Sequence, residues 1–494
     1  MASKNYLIFD FGASNGRGAV AKFDGKKFDM EIIHRFDNRP VYAADTLYWD
    51  ILRLYSELKI GIQTSVKKYS DIASMAIDTW GADFGFIDRN GKLISNPVHY
   101  RDKKRSSDAD SLYKIISKEE LFKLTGAMLL PVFDLFHLYS LKLQNAPEFI
   151  NGDKFLTIPD IFNYFLTGRT CNEYTRITTS LMFNQKEKRW EDIIFDRLDI
   201  PNNIFPGIIM PGEKIGNISE IVCRELEIGT MPVIAPVTHD TPSAVAGIPV
   251  ADTSINWAFI SMGTWCIIGQ ETKSPMINKE IMDAGFSNEG GAEGLNLFIK
   301  NITGLWVIQQ CRERWIKDCG EDISWDEIVN MSSNSKSFKL FIDVDVPSFS
   351  QPQVNMPEVI REYCKDKGSS IPESIGEISR CIYESLAMRF KHNLNLLEKI
   401  TGKKVELLHL VGGGIQNKLL CQWTADATGV SVIAGPAETT SVGNLLMQLK
   451  AAGEIKNLEE GRKISLDSSK VIHYEPKDKN LWDVAYNRFI KLVR

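Results

Sequence analysis

A chain of 494 residues exceeds the length at which one hydrophobic core keeps growing, so two domains are expected. With 44% hydrophobic and 24% charged residues it has the balance of a globular protein. A net charge of −5 with no block of like charges argues against nucleic acid or an anionic membrane surface as a general partner. In chain order, the first element is an apolar strand, a Gly/Ser/Asn turn and a second strand, "NYLIFDFGASNGRGAVAKFDG", read as a hairpin. A helical pattern follows in "LYWDILRLYSELKIGIQTSVKKY", then strand-like runs in "IASMAIDTWGADFGFID" and "MPVIAPVTHD" and a small-residue helix after His239 and Asp240. The stretch "NWAFISMGTWCIIGQET" repeats the opening device, an apolar strand, a Met-Gly-Thr turn and an apolar strand. The strand "VELLHLVGGG" and the helix "NKLLCQWTADATG" come last. Each half therefore opens with a hairpin and continues as α/β, with the change-over placed between Ile248 and Asn256 and the domains taken as 1–248 and 249–494.

The eight cysteines are scattered, with no C-x-x-C pair and no metal-ligand spacing, which reads as reduced thiols in a cytoplasmic protein and makes a zinc site improbable. Asp10 interrupts the first apolar run too early for a secretory leader, and no apolar stretch approaches the roughly 18 residues of a membrane span.

Four stretches carry chemistry. In "DFGASNGRG", Gly12, Gly16 and Gly18 tolerate positive φ, which would let backbone N–H groups curl around an anion. Asp10 on the preceding strand is placed to hold Mg²⁺ through water, and Arg17 adds positive charge. A glycine-rich hairpin without a ligand has the same composition, and neither the P-loop nor the dinucleotide spacing is present. "SMGTW" repeats the device, with Thr264 as a hydroxyl donor, and two such turns suggest a phosphate chain held from both sides. In "VGGG", three glycines between a strand and a helix let backbone lie flat against adenine, ribose or phosphate, although a tight turn accounts for one of them. In "IDTWGADF", Trp80 among Asp78, Gly81 and Asp83 suits a sugar, although tryptophan is commonly a core residue.

The pair His239 and Asp240 ends a strand and precedes Thr241 and Pro242 at a helix start. An aspartate there is by default an N-cap. It could equally orient an alcohol and take its proton during phosphoryl transfer, with His239 steadying it or binding substrate. Metal-dependent hydrolysis by the pair would need further ligands, and the other six histidines supply none at useful spacing.

These stretches, together with "PVHYRD", "PDIFNYFLTG", "NEYTRITTS", "NEGGAEG", "KNITGLW", "LHLVGGGIQN" and "IAGPAETTSVGN", occur in an order that resembles the FGGY carbohydrate kinases, from about Asn5 to about Asn480. That family lies within the larger fold of actin, sugar kinases and heat-shock chaperone ATPases. The resemblance implies an α/β protein of two RNase H-like domains flanking an active-site cleft, using ATP and Mg²⁺. It implies that Asp240 is the base that deprotonates the 1-hydroxyl of a ketose, L-rhamnulose or its C4 epimer L-fuculose. Carried over by position, Ala13, Ser14, Asn15, Gly16, Arg17, Thr264, Gln309 and Gly413 would contact ATP, and Gly81, His239, Asp240, Thr241 and Asn301 the sugar. Asp10 as the metal site rests on the broader fold. Asn15 and Met262 stand where serines are familiar, and only Cys421 remains of cysteines that sit close together late in some relatives. The expected protein is a cytoplasmic monomer or homodimer with no nucleic-acid or membrane partner. A sensor of the same fold that binds sugar and ATP without turnover is the reading from another class.

Overall fold

The computed structural model describes residues 3–250, 252 and 254–493. Met1 and Arg494, the outer ends of the two expected domains, lie outside them, as do Ala2, Ala251 and Thr253. The chain divides into two units. The first comprises Met1–Ala251, Glu271–Phe298 and Glu438–Ser469; the second comprises Asp252–Gln270, Ile299–Ala437 and Lys470–Arg494. The expected change-over at residues 248 and 249 lies beside the first crossing. The two later returns to the first unit leave no mark in the local pattern, because packing at long range decides them.

The first unit is built on six strands: β1 (Lys4–Phe11), β2 (Asn15–Phe23), β3 (Phe28–Asp37), β4 (Ile72–Thr79), β5 (Lys214–Asn217) and β6 (Pro232–Ile234), in the order β5-β6-β4-β1-β2-β3. The hairpin β1–β2 is antiparallel, and β4 pairs β1 in parallel on the other side. Successive side chains of a strand point to opposite faces, and both faces of β1 are covered. Leu7, Phe9 and Phe11 join Trp49, Leu54, Leu58 and Ile62 in one core cluster, while Tyr6 and Ile8 join Val442, Leu445, Leu446 and Leu449 in another. The first cluster includes the helix Ile51–Lys68, which starts where the Asp50 side chain accepts from Arg53 N and buries a stripe at helical spacing. The second includes the helix Thr439–Ala451, whose apolar side chains cover the far face of β1 and so tie a late segment to the first strand.

That helix also crosses the helix Asp240–Ala246 at backbone contact. A β-carbon at Gly443 would fall on the carbonyl oxygen of Ser243, and one at Gly247 on that of Thr439. Ser243 Oγ donates to the carbonyl of Thr440 at 2.9 Å. The small residues of "TPSAVAG" are thus explained by a close helix crossing.

The strand expected over "MPVIAPVTHD" is regular only from Pro232 to Ile234. Pro236 has no N–H to donate, and the ladder ends before it. The chain still follows β4, since Thr79 N donates to the carbonyl of Thr238 at 2.8 Å and Thr79 forms a parallel bridge with His239.

A second, seven-stranded sheet repeats the device; six of its strands are β7 (Trp257–Met262), β8 (Trp265–Thr272), β9 (Asn296–Thr303), β10 (Leu407–Val411), β11 (Ser431–Ala434) and β12 (Ile472–Tyr474), in the order β9-β8-β7-β10-β11-β12. The hairpin β7–β8 is antiparallel and β10 runs parallel to β7, as β4 does to β1. The second unit's longest helix, Ile375–Thr401, is capped by Ser374, which accepts from Glu377 N, and stops at Gly402 with φ of 69°.

Candidate active site

Register brings the first unit's charged residues together. Asp10 on β1 faces Asp78 on the parallel strand β4 and Arg17 on the antiparallel strand β2. The Arg17 guanidinium lies 3.4 Å from Asp10 and pairs with Glu438 at the start of the Thr439 helix. Asn444 of that helix donates to Asp78 Oδ2 at 2.6 Å, and Asp78 Oδ1 is buried with no hydrogen-bond partner among the described residues. Burial holds the Asp10 carboxyl above the usual carboxylate range despite Arg17, and burial together with the Asp10 charge holds Asp78 well above it.

Asp240 is the first residue of the helix Asp240–Ala246, and His239 occupies the N-cap position without capping through its side chain. The capping reading of Asp240 therefore fails. Its carboxylate is left one-third exposed, with Thr241 Oγ1 donating to Oδ1 at 3.4 Å. Loss of hydration, and then the Asp10 charge, push this carboxyl up to about 7.

His239 is buried, its Nε2 3.4 Å from Asp240 Oδ1 and its Nδ1 3.4 Å from Glu289 Oε2. Burial, then the positive charge of Arg176, lower the imidazole to about 3, so it is neutral at physiological pH. Gly81 lies directly against this ring; a β-carbon there would collide with Nε2. The segment before His239 is held by Glu173, whose carboxylate accepts from Thr238 N and Thr238 Oγ1 and also from Thr175 N and Arg176 N. Four of the expected sugar contacts, Gly81, His239, Asp240 and Thr241, are thus neighbours within one unit.

The backbone of the first turn differs from the one expected of its glycines. None of Gly12, Gly16 and Gly18 has positive φ. Gly16 is required because a side chain there would overlap the Phe36 ring, and at Gly18 a β-carbon would meet Phe9 at 3.0 Å. What shapes the turn is Asn38, whose Nδ2 donates to the carbonyl of Gly12 at 2.8 Å and whose N donates to that of Ser14 at 3.0 Å. Ser14 and Asn15 are exposed, and Ala13 and Arg17 partly so.

The sugar reading of "IDTWGADF" also changes. Trp80 is buried against Trp49 at 4.0 Å between ring centroids, and both indole N–H groups donate to Asp83 Oδ2, at 3.2 and 2.5 Å. Asp83 is fully buried and paired with Arg105, and its N donates to Asp134, which accepts from Arg176 as well. These carboxylates brace the core beneath Gly81, leaving none of their oxygens free for a ligand's hydroxyls; the charged partners lie more than 20 residues away in sequence, beyond the reach of local pattern.

In the second unit, Thr264 and Gln309 meet, Thr264 Oγ1 donating to Gln309 Oε1 at 3.2 Å, and the N of Trp306 donates to the carbonyl of Thr264 at 3.1 Å. Of the three glycines after β10, Gly412 has φ of 84° and lies with Gly414 against Met262, where β-carbons would come within 2.8 and 2.7 Å of Met262 atoms. Gly413 alone faces open space. Asn301 stands on β9, partly buried.

Sequence reading missed Asn38, Glu173, Arg176, Glu289, Glu438 and Asn444. All but Asn38 sit inside stretches that were recognisable as strings, Glu173 and Arg176 in "NEYTRITTS", Glu289 in "NEGGAEG", Glu438 and Asn444 in "IAGPAETTSVGN", but each is placed beside its distant partner only by the fold.

Residues 5–247 match the N-terminal domain, and residues 258–452 the C-terminal domain, of the FGGY family of carbohydrate kinases. The chain is 36% identical over 491 residues to a rhamnulokinase of Bacteroides thetaiotaomicron, covering 99% of this chain and all of that one. It is 32% identical over 473 residues to a rhamnulokinase of Bacillus subtilis, with 96% of each covered. Among solved structures, a gluconate kinase from Lactobacillus acidophilus aligns with a TM-score of 0.81 at 15% identity, covering 99% of this chain and 98% of that one. A glycerol kinase from Plasmodium falciparum with ADP aligns with a TM-score of 0.75 at 17% identity, with 99% and 98% covered. Two matched domains in sequence and a shared two-domain α/β fold establish that this chain belongs to the FGGY family of carbohydrate kinases.

Proposed function

We propose that the protein transfers the γ-phosphoryl group of ATP to the 1-hydroxyl of L-rhamnulose, giving L-rhamnulose 1-phosphate and ADP, with Asp240 as general base. The observation that carries this reading is Asp240 itself, a carboxylate one-third open, held near neutrality at about 7, and seated beside a neutral, buried His239. A base is most effective when its pKa lies near the working pH. Asp240 takes the proton of the 1-hydroxyl as that oxygen forms its bond to the γ-phosphorus and the bond to the β–γ bridging oxygen breaks. Gly81, His239, Thr241 and Asn301 are the proposed sugar contacts, and Ala13 to Arg17, Thr264, Gln309 and Gly413 the proposed ATP contacts. The relatives named above support the choice of sugar by their own names, and L-fuculose, its C4 epimer, is the competing acceptor.

The residues present fit Mg²⁺ as the phosphate counter-ion. Asp10 and Asp78 are carboxylates, the hard oxygen donors this cation selects, and Asp78 Oδ1 is buried without a partner. Asp10, with Asp78 beside it, would hold the ion. When bound, Mg²⁺ neutralises charge that develops on the transferring phosphoryl group.

The test is the initial rate of ADP release with ATP-Mg²⁺ across L-rhamnulose, L-fuculose, L-ribulose, D-xylulose and glycerol. Preference for L-rhamnulose supports the reading; preference for L-fuculose keeps the mechanism and changes the substrate. Silence on all five points to another ketose or to the non-catalytic sensor.

A further inference from the structure

We propose that Glu289 is a positioning residue that, in its protonated form, donates a hydrogen bond to His239 Nδ1 and so fixes His239 as the tautomer whose N–H is on Nε2, aimed at Asp240. Two buried groups stand here without a partner of their own. His239 Nδ1 and Glu289 Oε2 are both buried, neither has a hydrogen-bond partner among the described residues, and they lie 3.4 Å apart. His239 is 7% and Glu289 4% exposed, so water is a poor substitute on either side.

The strand Ser287–Gly290 that carries Glu289 has little freedom to move away. Asn288 N and Asn288 Nδ2 donate to the carbonyl of Gly126 at 3.0 and 2.9 Å, Gln185 Nε2 donates to the carbonyl of Asn288, and Gly290 N donates to Thr178 Oγ1 at 2.9 Å. The imidazole is confined from the other side by Gly81. Two rigid groups therefore face each other, and the position of one proton decides what the far nitrogen presents.

The charges around the pair favour the neutral arrangement. Facing His239 are Arg176 from the helix Tyr174–Ile177, Asp240 from its own helix and Glu289; facing Glu289 are Asp240, Arg176 and His239. Burial, then the Asp240 carboxylate, raise Glu289 to about 8 against the opposing pull of Arg176, so at neutral pH it keeps its proton. An ionised Glu289 would instead accept from Nδ1, turning the bare lone pair of Nε2 toward the Asp240 carboxylate, a repulsive contact. The identity of the proton on a histidine is set by the hydrogen bond its other nitrogen makes.

The proposal rests on the reading of Asp240 as base only for its kinetic consequence; the tautomer is measured without turnover. Nitrogen-15 spectra of the full chain with labelled histidine, assigned by difference with His239→Asn, should show Nδ1 unprotonated and Nε2 protonated at pH near 7. A protonated Nδ1 overturns the proposal. In kinetics, wild type should lose kcat/KM for the ketose as pH rises above neutrality, whereas Glu289→Gln, whose amide donates at every pH, should stay within about 3-fold of the neutral wild-type value and show no such decline. Glu289→Ala should lose about 10-fold or more in kcat/KM for the ketose with KM for ATP unchanged. Equal losses in both variants, or an alkaline decline retained by Glu289→Gln, would overturn it.

Discussion

Gly81 lies against the imidazole of His239 so closely that a β-carbon at position 81 would collide with Nε2. The glycine is needed here for space, since its backbone is not in the left-handed region. Gly81→Ala should therefore push the ring aside, a form of overpacking that costs roughly 1–3 kcal/mol. We expect a lowered melting temperature and a loss of at least about 10-fold in kcat/KM for the ketose. An unchanged melt and unchanged kinetics would mean that the ring moves freely.

Asp240→Asn should keep ketose and ATP binding, measured by calorimetry, while kcat falls about 10²–10⁴-fold, the usual worth of a general base. In the wild type the acid limb of kcat/KM should lie near pH 7, because the base works only when ionised and its carboxyl is held at about 7. Turnover close to wild type in the variant would remove Asp240 from the chemistry.

The same carboxyl predicts a stability effect of opposite sign. The unfolded chain titrates this aspartate near about 4, the folded chain at about 7. Between those values the folded state binds more protons than the unfolded, so stability falls as pH rises through the window and stays lowered above it. Without metal or nucleotide, Asp240→Asn should melt above wild type at pH 8, with the difference shrinking toward pH 4. A lower melt at pH 8 would count against this environment for Asp240.

Asp10→Asn tests the proposed role of Asp10 in holding Mg²⁺. The Mg²⁺ concentration that gives half-maximal rate at saturating ATP and ketose should rise by about 10-fold or more, with the fold kept in far-UV circular dichroism. An unshifted Mg²⁺ titration would place the ion elsewhere.

Asn444→Leu takes away the 2.6 Å donation to Asp78, leaving that buried acid with no partner on either oxygen among the described residues, and removes an acceptor of Gln448 Nε2. Denaturant unfolding should lose about 1–3 kcal/mol, the usual cost of stranding a buried polar group. A neutral result would mean that Asp78 is protonated and does not require the amide.

The hairpins, the helix over residues 51–68 and the strand before "VGGG" were legible because each carries its own periodicity and turn residues in a short stretch. Gly81, His239, Asp240 and Thr241, the proposed sugar-side residues, stand in stretches legible as family motifs, and the fold makes them neighbours. Other readings failed for one physical reason, which is that composition does not say what a residue lies against. Gly16 was expected to supply a positive φ to the turn; it has none, and its missing side chain leaves space for Phe36. Asp83 looked like a sugar ligand and is held by Arg105 and two indoles.

Sequence alone determined the two repeated hairpins, the family and the identity of the residue proposed as base, because each is written in consecutive residues. Tertiary structure decided which distant groups act on them: Glu438 on Arg17, Asn444 on Asp78 and Glu289 on His239. Those pairings join positions tens to hundreds of residues apart, and burial sets the protonation of the groups they bring together. Neither quantity exists until the chain has packed.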